Sequence, residues 1–157
     1  MVEVQALAVS SNLSSPRRIA SGLEVARLHL LLAVLARRGQ VNASGMDVVM
    51  TVSGGLKLRD PGADLAVVAA LASAVADRAL PQRTAFLGEV ALSGAVRPVQ
   101  QAQRRLAELA RMGFERCIVP PGTAAVEGMV LAVAGSVSEA LALAGRSDGE
   151  GSSARRA

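Results

Sequence analysis

The chain is 157 residues long, half of them apolar, with a formal net charge of +4 and a single cysteine. That length suits one domain, able to bury roughly two thirds of its unfolded surface. The longest apolar stretch, residues 63–76, contains Asp64 and Ser73 and is shorter than the ~20 residues of a membrane span, while Cys117 alone excludes an internal disulfide or a cysteine-built zinc site.

In chain order, residues 2–9 alternate polar Glu3 and Gln5 with apolar neighbours, predicting a strand with no lead-in, as in a chain cut from a longer one. No basic segment followed by an apolar run marks a secretion signal, and the free thiol fits a reducing cytoplasm. Residues 10–18 read as a polar connection. Ser21-Gly22-Leu23-Glu24 has capping-box spacing and predicts a helix running to about Arg38, with Gly39 as its stop. Asn42–Gly45 reads as a turn before a strand at Asp47–Val52, and Leu56-Lys57-Leu58 as a further short extended segment. Asp60-Pro61 supplies an N-cap and a first helical residue. The helix that follows is apolar nearly all round, so it is expected to be the most buried, ending near Ala79 before Leu80-Pro81.

Thr84–Leu87 leads as a strand into a hairpin, Val90-Ala91-Leu92 against Ala95–Val99, with Ser93-Gly94 as its turn. A helix from about Gln100 to Arg111 stops at Gly113, and Cys117-Ile118-Val119 reads as a buried strand closed by Pro120-Pro121. Met129–Ala134 reads as a strand, and Ser136–Leu143 as a short helix capped by Ser136 with Glu139 three residues on. Residues 146–157 are polar and Gly/Ser-rich and read as a disordered tail, leaving 1–145 as the domain. The class is α/β (α+β), with a mixed sheet, hairpins and packed helices.

Catalytic constellations are thin. Ser53-Gly54-Gly55-Leu56-Lys57-Leu58 lacks the hydroxyl, spacing and following helix of a P-loop. His29, without a second histidine, reads as a boundary or core residue, and Cys117 as a small hydrophobe. Asp60, Asp64 and Glu89 lie near segment ends, where folding could bring them together. Of the 17 basic residues, all but Lys57 are arginine. Arg17-Arg18, Arg37-Arg38, Arg97, Arg104-Arg105, Arg111 and Arg116 recur at segment ends and on one helix. There they read either as a solvated face or as a phosphate-tracking surface.

The string GEVALSGAVRPVQQAQRRLAELARMGFERCIVP, with Val2–Leu7, Pro16-Arg17-Arg18, Asp47-Val48, Gly54-Gly55 and Asp60–Ala66, resembles the C-terminal domain of the RadA (Sms) family of bacterial DNA repair proteins. That domain is similar to the proteolytic domain of Lon. The likeness is ordered and covers residues 2–122. Lon-type peptidases use a Ser-Lys dyad, in which a neutral amine takes the hydroxyl proton. By this resemblance the dyad positions fall at or next to Ala63 and at Gln103, neither of which can do that chemistry.

The resemblance therefore implies a pseudo-protease scaffold with no catalytic residue and no cofactor of its own. The family's ATP, Mg and Zn belong to modules that stand ahead of this domain. It implies a homo-oligomer, a hexameric ring, binding double-stranded or branched DNA during branch migration in the cytoplasm, without a membrane. Arg17, Arg18, Arg97, Arg104 and Arg105 are the DNA-contact candidates, chosen on charge and position. A residual Lon-type peptidase and a purely structural oligomerisation domain are the alternatives.

Overall fold

Strand β3 (Met46–Val52) is the spine of the first of three small sheets in the computed structural model, which describes residues 1–145. The tail expected to be disordered, 146–157, lies outside the described residues. Strand β1 (Val4–Ser10) pairs antiparallel with β3, and β2 (Arg18–Ser21) pairs parallel with it on the other side. Val48, Met50 and Val52 point into the core while Val49 is exposed, the period-two alternation of a sheet with one covered face.

The second sheet is wholly parallel, in the order β4 (Thr84–Phe86), β7 (Arg116–Val119), β8 (Val130–Val133). Its central strand is buried on both faces, which is why Cys117-Ile118-Val119 is a continuous apolar run. Ile118 faces the main core formed with helices α1 (Val25–Arg38), α2 (Asp64–Ala76) and α4 (Val137–Ala144). Cys117 and Val119 face a smaller cluster built with Leu106 of helix α3 (Ala102–Arg111). The third sheet is the expected hairpin, β5 (Glu89–Val90) against β6 (Val96–Arg97), with Gly94 at φ +84 in its turn. The class is thus α/β as read from sequence, but the strands form three sheets instead of one.

Most elements follow from local chemistry. Asp60 caps as expected, accepting from the Gly62 amide at 2.8 Å, and Pro61–Ala63 forms a 3₁₀ turn that feeds α2. α2 buries Leu65, Val67, Val68, Ala69 and Leu71 almost completely, so it is central as predicted. α3 ends in a Schellman motif: Gly113, at φ +89, donates to Ala110 O and Phe114 donates to Leu109 O. Ser136 caps α4 through its Oγ, while the Glu139 carboxylate reaches back to the Gly135 amide.

Four readings are corrected. Residues 10–18 are not followed directly by a helix, because Arg18–Ser21 forms β2. Ser21 lies there opposite Thr51, so the capping box is not made and α1 starts after Glu24 with no side-chain cap. α1 ends at Arg38 with Gly39 as its C-cap, as read, whereas α2 ends on left-handed Asp77 and not at Leu80-Pro81. That end of α2 is closed by Ser73, whose hydroxyl donates to Arg78 O at 2.6 Å. Leu56-Lys57-Leu58 joins no sheet, its contribution being one bond from Leu58 N to Gly22 O.

Gly22 is where this last segment crosses. It sits at φ +80, and a Cβ there would lie 2.5 Å from Leu56 O and 2.7 Å from Val52 Cβ. Gly22→Ala is therefore expected to cost about 2–3 kcal/mol in urea unfolding, from positive-φ strain plus a backbone clash. An exposed glycine with free space around it, such as Gly45, should tolerate alanine with little change.

Candidate functional site

The turn before α2 is fixed to the hairpin by two backbone bonds, Gly88 N to Gly62 O (2.9 Å) and Leu65 N to Gly88 O (3.1 Å). It is also fixed to α3. The second carboxylate oxygen of Asp60 takes a short charge-assisted bond from Arg105 Nη1, so a helix start and a helix side are joined by one aspartate. Burial alone would push the Asp60 carboxyl up, but the Gly62 amide and the Arg105 guanidinium outweigh it and hold it below its ordinary value.

Beside this turn lies a cleft of about 530 Å³, walled by Ala66, Ala70, Phe86, Leu87 and Phe114, with Asp60, Arg105 and Glu108 at its polar side. Half-buried Ala63 lines it. Among the described residues, Thr84 brings the only hydroxyl to this cleft, and it donates to Gln82 O at 3.3 Å; no lysine reaches it. Gln103 is exposed on α3 and Lys57 is exposed elsewhere. The cleft thus presents the Ala63 methyl group beside the Asp60–Arg105 salt bridge, with the carboxylates of Glu3 and Glu108 also on its lining.

Directly after Ala63 stands Asp64, with 4% of its surface exposed. Arg27 Nε donates to its Oδ1 at 3.0 Å, Arg27 Nη2 makes a short bond to Oδ2, and the Val90 amide donates to Oδ2 at 3.1 Å. One carboxylate therefore ties α1, α2 and the hairpin, and its hydrogen bonds raise the Arg27 pKa above the ordinary arginine value, against the opposing effect of burial. Of the three acids read as a potential cluster, Asp64 and Glu89 both act on Arg27, whereas Asp60 serves Arg105. Sequence reading missed Arg27. The available signal was its spacing, four and seven residues before Leu31 and Val34, which puts it on the core-facing stripe of α1.

The five DNA-contact candidates divide by environment. Arg18, expected to be exposed, is half-buried and donates to Ala43 O at 2.8 Å and, more closely, to Met46 O, bracing the turn before β3. Arg105 is committed to Asp60. Arg17, Arg97 and Arg104 are exposed, and none enters an ion pair among the described residues. Glu108, four residues after Arg104, does not pair with it. Arg17 is anchored through its backbone, its amide donating to Asp47 Oδ1 at 2.7 Å; that bond holds the Asp47 carboxyl below its ordinary value. Arg17 and Arg18 stand at the entry of β2 and Arg97 and Arg104 on the hairpin and α3, so these residues come from two separate regions of the fold.

His29 is exposed on α1, not at a boundary or in the core. Cys117 is buried as expected, and desolvation pushes its thiol from 9.0 to about 12. The unfolded thiol ionises near pH 9 and the folded one does not, so the folded state binds more protons between those values. Stability is then expected to decline as pH rises above 9, by up to ~1.4 kcal/mol per unit from this group. Cys117→Ala should flatten that part of a stability-versus-pH series. No group of three or more His, Cys, Asp or Glu among the described residues could hold a metal ion, and no described helix is long and apolar enough to cross a membrane.

Against known proteins, residues 28–123 match the sequence model of a family described as "Subunit ChlI of Mg-chelatase". Curated proteins named "DNA repair protein RadA" are also similar. That of Haemophilus influenzae is 46% identical over 91% of this chain and 32% of its own length. That of Escherichia coli K12 is 44% identical over 91% and 32%, and that of Synechocystis 40% identical over 92% and 29%. The chain spans about a third of the length of the curated relatives it matches.

Proposed function

The chain belongs to the family described as "Subunit ChlI of Mg-chelatase", and from that footing we propose that it is a catalytically silent, Lon-protease-like scaffold that binds double-stranded DNA and assembles into a ring in RadA-type DNA repair. The similarity to DNA repair protein RadA, extending over nine tenths of the chain, is the observation that carries this reading. The cleft geometry supports its silent part. Ala63 offers no hydroxyl, Gln103 no amine, and the Asp60–Arg105 salt bridge occupies the adjoining polar side.

The exposed arginines support the DNA part. A guanidinium that is neither paired nor buried can exchange its counterions for phosphates, an interaction that tracks the duplex backbone without reading bases. Arg17, Arg97 and Arg104 are free to do so; Arg18 and Arg105 act from behind, fixing the turn before β3 and the face of α3. The ATPase and zinc chemistry of the RadA family would be supplied by other modules. Retention of a labelled duplex by the chain at low ionic strength, with affinity falling steeply as salt rises, is the deciding experiment. An unshifted duplex at low salt would remove the DNA-binding role.

A further inference from the structure

The outer edge of β4 is only partly paired. In its parallel ladder with β7, Arg83 O accepts from Glu115 N at 3.0 Å and from Arg116 N at 3.3 Å, and Leu87 N donates to Ile118 O at 2.9 Å. Alternate residues of a strand bond the same neighbour, so Arg83, Ala85 and Leu87 face β7 while Thr84, Phe86 and Gly88 face away from it. At Gly88 both outward groups are taken, the N–H by Gly62 O and the C=O by Leu65 N. The N–H and C=O of Thr84 and Phe86, next along the same edge, have no backbone partner among the described residues.

The cleft beside the Asp60 turn runs along this edge. All of Thr84–Leu87 line it, although Phe86 packs on the larger core and Ala85 and Leu87 on the smaller. A cavity that touches side chains from both sides of a sheet lies beside the strand, not over one of its faces. Ala70 of α2 walls it on the side of the larger core and Leu109 of α3 on the side of the smaller.

We propose that this cleft binds an extended segment of a partner protein, which adds to β4 as a further strand. An extended chain repeats its outward backbone groups every second residue, about 6.6 Å, and Thr84 and Phe86 offer that same repeat, so a segment of about four residues can make about four hydrogen bonds. The cleft, at about 530 Å³, is within the size range of pockets that enclose ligands of this kind.

Charge selects the segment. The chain carries +4 overall, yet the cleft lining sets Glu3, Asp60 and Glu108 against Arg105, which is already committed to Asp60. Glu108 Oε1 lies 3.9 Å from the Met1 amine and Glu3 accepts from Gln5, and among the described residues no guanidinium reaches either. The complement is a peptide that alternates apolar residues, set against the walls, with lysine or arginine beside Glu3 and Glu108. This site goes beyond the DNA reading, since Arg17, Arg97 and Arg104 do not line the cleft.

The test is fluorescence anisotropy of the whole chain with a labelled probe, the peptide Leu-Lys-Val-Arg-Leu-Lys. Saturable binding with a Kd of about 10–300 µM is expected. Only one row of amides in an added strand faces β4, so N-methylation of alternate residues in one phase should abolish binding and in the other phase should spare it. A peptide with glutamate at the three basic positions should not bind. Glu3→Lys combined with Glu108→Lys, both at exposed positions, should weaken the basic probe about tenfold or more while thermal unfolding stays unchanged. No saturable binding below about 1 mM, equal affinity of the two methylated peptides, equal binding of the glutamate peptide, or unchanged affinity in the double variant would each overturn the proposal.

Discussion

Asp64→Asn should lower the stability of the fold by about 3 kcal/mol, a shift readable as a fall in the urea midpoint at constant slope. The substitution keeps the shape but turns one acceptor oxygen into a donor that faces the Arg27 guanidinium and the Val90 amide. A half-buried cation is left without its counter-charge. Breaking such pairs costs about 3–5 kcal/mol in general, and the partial exposure of Arg27 places this one at the lower end. The bridge itself need not add net stability, since its desolvation offsets much of its attraction. Replacing both partners, with Arg27→Met and Asp64→Leu, should therefore recover most of the loss. A loss under about 1 kcal/mol for Asp64→Asn would mean that the tie between α1, α2 and the hairpin is a surface ion pair in energetic terms.

Charge reversal at Arg17, Arg97 and Arg104 together should reduce duplex affinity by roughly two to three orders of magnitude at 0.1 M salt, and reduce the salt slope by about three contacts. The three side chains are exposed and outside the core, so thermal unfolding of the variant should match the wild type. Arg18→Ala and Arg105→Ala should behave in the opposite way. Each removes a structural anchor, for the Ala43 and Met46 carbonyls or for Asp60, and should loosen its turn before it changes the duplex contact. Full retention of affinity in the triple variant would move any DNA surface away from the hairpin, α3 and the entry of β2.

The elements legible in sequence were those whose signal is local. The hairpin around Gly94, the Asp60 cap, the Schellman end at Gly113 and the buried strand at Cys117 each follow from a turn residue or from an apolar run. β2 was not legible, because four residues carry almost no periodicity and Ser21–Glu24 imitates a capping box that only the sheet disallows. The roles of the arginines were illegible for a related reason. Arg18 and Arg104 look alike in the chain; what distinguishes them is a carbonyl 25 residues further on for one and open solvent for the other. The Arg27–Asp64 bridge spans 37 positions and has no local trace beyond a charge on each of two apolar faces. The resemblance read from the motifs agrees with the RadA relatives, whereas assignment of the dyad positions to Ala63 and Gln103 rests on likeness to Lon.

Strand β7 separates two apolar compartments of very unequal size, with Ile118 on one side and Cys117 and Val119 on the other. The smaller compartment is closed by α3 together with Val99, Val126 and Met129, and α3 contributes Leu106 to it as its one buried side chain. Substitution on the outer surface of α3 is correspondingly decoupled from the fold. That helix is the part of the molecule on which new surface chemistry can be tried at the smallest risk to folding.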